Sequence, residues 1–144
     1  MAWMARFSAR SPPRLSRCRM VRPLLAGIGL VPLSAAQAIV SFSHPGRCRS
    51  EAAYAALGGT SPIPASSGRT VRHRLNRGGD RALNCAIHAI AVSRIRSCPR
   101  TRAYVARRTT EGKTPREIRR CLKRYIAREL YRQLTRSMNP SVGP

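Results

Sequence analysis

Residues 114–136, TPREIRRCLKRYIARELYRQLTR, read as one long amphipathic helix, and the rest of the fold can be worked out from them. Thr114 and Glu117 form a capping box around Pro115, whose missing N–H and fixed φ suit the first helical position. Ile118, Leu122, Tyr125, Ile126, Leu130 and Leu134 then recur three and four residues apart and mark one apolar face. The other face holds Arg116, Arg119, Arg120, Lys123, Arg124, Arg128, Arg132 and Arg136, offset only by Glu117 and Glu129. A solvated helix face normally mixes signs, so one this basic suits a phosphate backbone.

Similar signals place the helices upstream. Asp80 caps a helix running to about Ser97, with Leu83, Ile87, Ile90 and Ile95 as its buried stripe and Pro99 beyond its end. A shorter helix over 101–110 closes at Gly112, with Tyr104 and Val105 facing the core and Arg102, Arg107 and Arg108 outside. Earlier still, Ser50 caps an alanine-rich helix that has Glu51 in its first turn and Gly58 as its stop. Residues 60–68, TSPIPASSG, hold two prolines and a glycine and predict an exposed loop without regular structure. In residues 69–79, RTVRHRLNRGG, Val71, His73 and Leu75 alternate with Arg72 and Arg74, a weak strand period that the Gly78-Gly79 turn ends. The expected fold is all-α, a small domain of four to five helices behind a basic, disordered N-terminal tail.

The chain has 144 residues, a formal charge of +23 and a pI of about 11.9. That length excludes a multidomain catalyst, and that charge implies a polyanionic partner, nucleic acid first and an anionic membrane surface second. All but two of the 28 basic residues are Arg, which grips phosphate bidentately and stacks on bases. Residues 1–23 carry six Arg and no acid and form the tail. An apolar run over 24–33 followed by Ala36-Gln37-Ala38 imitates a secretory signal, but Gly27, Gly29 and Pro32 break it and it falls well short of the roughly 20 residues of a membrane span. A cytoplasmic protein without membrane contact is expected.

Five widely spaced cysteines without a C-x-x-C pair support neither a disulfide framework nor a zinc knuckle. The pairs Cys85/His88 and His44/Cys48 supply too few ligands for structural zinc and read as structural residues. The candidate nucleophiles are Ser66 and Ser67, directly before Gly68 and followed by Arg69, Arg72, His73 and Arg74. Guanidinium groups there would stabilise charge on a transferring phosphoryl group, although Ser-Ser-Gly is also an ordinary turn. The only carboxylates are Glu51, Asp80, Glu111, Glu117 and Glu129, each at a helix end or on a helix face, so no metal site is expected within the chain.

The ordered combination of the Ser-Ser-Gly loop, the Arg74–Asp80 turn RLNRGGD and the helix after it resembles the C-terminal part of transposases of the insertion-sequence one-ten family, over Arg49 to Leu134. The family's full-length members carry an N-terminal RuvC-like domain with a DEDD carboxylate site, a coiled coil, and a C-terminal domain whose serine is the nucleophile, guided by a structured RNA. The resemblance therefore implies Ser67 as nucleophile, with Ser66 the alternative, and DNA strand cleavage and rejoining as the activity. It implies Arg69, Arg72, Arg74, Arg77, Arg119, Arg120, Lys123 and Arg124 as nucleic-acid contacts, and DNA, a guide RNA and further copies of the chain as partners. Residues 24–48 are similar to a degenerate helix-hairpin-helix-like lead-in, with two extra residues between Gly29 and Ser34 and Pro32 at the place of a tight hairpin. The expected organisation is a tail over 1–23, that lead-in over 24–48, the transposase helical domain over 49–137 and a tail over 138–144. Lacking the DEDD domain, the chain is expected to be a truncated remnant, inactive alone, with Mg²⁺ needed only in the full-length enzyme. The alternatives are a non-catalytic basic nucleic-acid-binding protein and a secreted cationic peptide beginning after Ala38.

Overall fold

The computed structural model describes residues 32–66, 68, 73–74 and 76–138. The basic tail over 1–23, most of the apolar run and residues 139–144 lie outside them. The elements in order are α1 (Pro32–Phe42), α2 (Glu51–Leu57), β1 (Ile63–Pro64), β2 (His73–Arg74), α3 (Arg81–Ser97), α4 (Pro99–Thr110) and α5 (Pro115–Met138). The fold is all-α apart from a two-residue antiparallel ribbon pairing Ile63 with Arg74 and Pro64 with His73. The loop expected to lack regular structure thus contributes one short strand.

α1 lies within residues 24–48, where the resemblance implies a degenerate helix-hairpin-helix-like lead-in. Pro32 opens the helix instead of interrupting it, as its fixed φ allows at a first position. Ala36-Gln37-Ala38, the imitation of a cleavage site, lies inside this helix, with Ala35 and Ala38 fully buried. These small side chains let α1 lie close against α3, its main neighbour.

α2 starts as expected: the Ser50 hydroxyl accepts from the Ala53 N–H at 3.2 Å, and Gly58 ends the helix. Its Tyr54 joins Phe42 of α1 and Tyr131 of α5 in an aromatic cluster with ring centroids 5.9–6.1 Å apart. The Tyr54 hydroxyl donates to the Ala38 carbonyl at 3.2 Å, and that of Tyr131 to the Cys48 carbonyl at 3.0 Å, so these polar ends are satisfied.

α3 has Asp80 as N-cap, accepting from the N–H groups of Ala82 and Leu83 at 2.9 and 3.1 Å. Leu83, Ala86, Ile87, Ile90 and Ala91 are buried, while Ile95 is only half-buried. Pro99 does not merely follow this helix but opens α4, after a single linking residue, Cys98. Within α4 only Thr101 is buried; Tyr104 and Val105 are half-buried and do not reach the core.

The capping box of α5 is formed reciprocally: the Thr114 N–H donates to Glu117 at 2.8 Å, and the Glu117 N–H to the Thr114 hydroxyl at 3.3 Å. Ile118, Leu122, Ile126, Leu130 and Leu134 are all buried and run the length of the domain. Tyr125 departs from the expected apolar face and is 56% exposed. It precedes Ile126 by one residue, about 100° round the helix, and so falls outside the i, i+4 row.

Candidate functional site

The Ser-Ser-Gly loop leaves the body of the domain from a tight base. On one side stand Gly58 and Gly59 at the end of α2, and on the other the turn from Asn76 to Asp80. The Asp80 N–H donates to the Leu57 carbonyl at 2.6 Å, and the Asn84 amide to the Gly58 carbonyl at 2.6 Å. The Gly78 N–H closes the turn onto the Asn76 side-chain oxygen at 3.0 Å. The two backbones meet at Gly59 and Gly79: a Cβ on Gly79 would lie 2.4 Å from the Gly59 nitrogen, so only glycine fits.

From this base the chain passes into the β1–β2 ribbon. Ser66 is exposed, and Gly68 takes a φ of +59°, a turn conformation that glycine adopts without strain. Arg74 on β2 and Arg77 in the turn are both exposed. Ser67, Arg69 and Arg72 lie outside the described residues.

α1 braces the base. The Ser41 hydroxyl donates to the second carboxylate oxygen of Asp80 at 2.7 Å, and the Gln37 amide donates to Ser41 at 3.1 Å. With the Ser41 hydroxyl as the largest influence and the Leu83 N–H next, the Asp80 carboxyl is held below its ordinary range.

The basic face of α5 divides into two parts. Arg119 and Arg120 are exposed on its N-terminal half, where with Arg116 they line a shallow groove beside Thr114 and Glu117. The Lys123 ammonium donates to the Asn84 side-chain oxygen at 2.5 Å, joining this half to the loop base, and burial pushes its pKa down. Arg124 is half-buried. Further along, Arg128 and Arg132 both bind Glu51 of α2, with Arg132 at 3.0 Å, and are thereby partly neutralised.

Each of the chain's five carboxylates is engaged. Glu51 holds two guanidiniums, Asp80 and Glu117 cap helices, Glu111 binds Arg108 and Arg107, and Glu129 binds Arg94 at 2.8 Å. Among the described residues no three of His, Cys, Asp and Glu stand together as metal ligands. The side chains present therefore do not fit the Mg²⁺ site that the family resemblance implies for the full enzyme. Of the thiol–imidazole pairs, Cys48 is buried with its thiol pushed up by desolvation, whereas Cys85 is exposed. The sequence reading missed Asn76 and Asn84 as anchors, because an amide that binds a backbone carbonyl has no periodic signature. It also missed Tyr125 as a surface residue.

Fold and site together define a small basic helical domain presenting an anchored serine–glycine loop. Residues 14–106 match the Transposase IS116/IS110/IS902 family, more than half of the chain, and the chain belongs to that family. The match begins within the expected N-terminal tail, upstream of Leu24, and ends within α4, so α5 lies beyond it. Membership gives the chain a role in transposition. No curated protein matches the chain. No helix among the described residues is long and apolar enough to cross a membrane.

Proposed function

We propose that this chain is the DNA-binding part of a transposase and carries the serine that attacks DNA. Supporting this is the loop base: a glycine-on-glycine contact and two short hydrogen bonds fix the root of a hydroxyl-bearing loop beside exposed guanidinium groups. In this reading the Ser67 hydroxyl, or Ser66 in its place, attacks the phosphorus of a DNA phosphodiester. A serine–phosphate ester forms, the bond to one deoxyribose oxygen breaks, and that oxygen leaves with a proton. Arg69, Arg72 and Arg74 hold the phosphate oxygens, while Arg77, Arg119, Arg120, Lys123 and Arg124 bind the flanking backbone. A guide RNA and further copies of the chain belong to the same proposal, as does a cytoplasmic site of action.

A second reading, a non-catalytic nucleic-acid-binding protein, draws support from the engagement of all five carboxylates in caps and ion pairs. Both readings require DNA binding. With about six phosphate contacts, affinity for duplex DNA falls roughly a thousandfold between about 50 and 200 mM salt. A shallow dependence would defeat both. Ser67→Ala and Ser66→Ala then separate them in a strand-transfer assay supplied with a carboxylate-bearing domain of the same family. Loss of transfer with either supports the nucleophile, and unchanged transfer with both favours simple binding.

A further inference from the structure

Between α4 and α5 lies a pair of rings with no part in the loop or its base. Tyr104 and Tyr125 stand edge to face, centroids 6.2 Å apart and planes at 85°. Tyr125 is 56% exposed. The Arg107 and Arg108 guanidiniums each lie 5.8 Å from the Tyr104 ring centre. Arg124 and Arg128 sit one residue before and three after Tyr125, on the same helix. Glu111 and Glu51 offset part of this charge, and the surroundings stay positive.

A tyrosine needed only for packing turns its ring inward, as Tyr54 does. Tyr125 instead turns an aromatic surface to solvent, held from one side by Tyr104, in a field that attracts phosphate. A flat ring among guanidiniums is the chemistry that takes an unpaired base by stacking and its backbone by charge. Paired bases are stacked on one another and offer no free face, so the ring discriminates single strands from duplex. We propose that Tyr125 is a stacking platform for single-stranded DNA, with Arg107 and Arg124 against its phosphates. This rests on the reading that the chain binds DNA. DNA is favoured over RNA because breaking and rejoining DNA strands exposes unpaired DNA beside the protein.

The test uses the full chain with three labelled probes of about 20 nucleotides: oligothymidylate, a mixed-sequence duplex and oligouridylate. Tyr125→Ala is expected to weaken oligothymidylate binding by about five- to a hundredfold. Duplex binding should stay within about twofold, and Tyr125→Phe and Tyr125→Trp should keep the wild-type affinity. Photocrosslinking with iododeoxyuridine-substituted oligothymidylate is expected to mark the tryptic peptide of residues 125–128, YIAR. Equal losses on single strand and duplex, or no loss on either, would overturn the proposal. So would a loss confined to oligouridylate, which would make RNA the ligand. If the wild-type chain binds neither DNA probe, the DNA-binding reading falls first and this proposal with it; if it binds duplex alone, only this proposal falls.

Discussion

Gly79→Ala tests whether the loop base is as tight as its geometry. The added Cβ would lie 2.4 Å from the Gly59 nitrogen and 2.7 Å from both the Gly59 Cα and the Leu57 carbonyl oxygen. All three are backbone atoms, so no side chain can swing away. To reach the 3.4 Å of ordinary contact the two backbones must part by about 1 Å. The hydrogen bonds from the Asp80 N–H to Leu57 and from the Asn84 amide to Gly58, each 2.6 Å, then stretch beyond useful range. Two lost hydrogen bonds at about 0.5–1.5 kcal/mol each, with an overpacking cost of about 1–3 kcal/mol, give a destabilisation of about 2–6 kcal/mol. In a domain of this size that lowers the thermal midpoint by about 10 °C or more. Gly78→Ala is the control, since its Cβ would meet only the Asn76 side-chain oxygen at 3.6 Å, and it should change stability by no more than about 0.5 kcal/mol. Urea unfolding followed by far-ultraviolet circular dichroism measures both. Equal midpoints for the two variants would refute the glycine contact as the root of the loop.

Three further outcomes are expected. Asp80→Ala destabilises by about 0.5–2 kcal/mol at neutral pH. Because Ser41 and the helix N–H groups depress the Asp80 pKa, this contribution is complete above the unfolded carboxylate value near pH 4 and is lost as pH falls through the lower folded value. Unfolding of both proteins across pH 2–7 should show the gap closing in acid, and a constant gap would count against the assignment. Glu51→Gln leaves Arg128 and Arg132 without their carboxylate, so duplex affinity should rise and its logarithmic salt slope steepen by up to about two; an unchanged slope would mean that neither guanidinium reaches DNA. Leu130→Ala, at a fully buried position, should cost about 2–5 kcal/mol in urea unfolding, whereas a cost under about 1 kcal/mol would contradict the packing of α5.

What the sequence made legible was what local chemistry decides. Asp80, Ser50 and the Thr114–Glu117 box satisfy N–H groups two or three residues away, so those helix starts are written in neighbouring residues. α1 carries no local start signal in its sequence, Pro32 standing between Val31 and Leu33, and few strong periodic positions; the burial of Ala35 and Ala38 in the core gives it its place. Tyr125 stands one residue before Ile126, off the i, i+4 row of buried positions, so its apolar character and not its spacing placed it on the expected face. At the site, the glycine-flanked serines and the Gly78-Gly79 turn were visible. The Glu51–Arg128 pair spans 77 residues and the Lys123–Asn84 contact 39, separations that no local pattern encodes.

The placing of the acids gives the basic surface a direction. Had the five carboxylates been scattered over it, each would repel an approaching phosphate; instead they are tied to helix N-termini and to particular guanidiniums. Glu51 draws on the C-terminal half of α5, through Arg128 and Arg132, while Arg116, Arg119 and Arg120 stay exposed at the N-terminal half. Lys123 lies between them and reaches Asn84 at the loop base. Ion pairing therefore reduces the attraction for a polyanion where α5 meets α2. On the proposed reading, a duplex attracted by net charge alone would settle first on the half of α5 that Lys123 joins to the loop base.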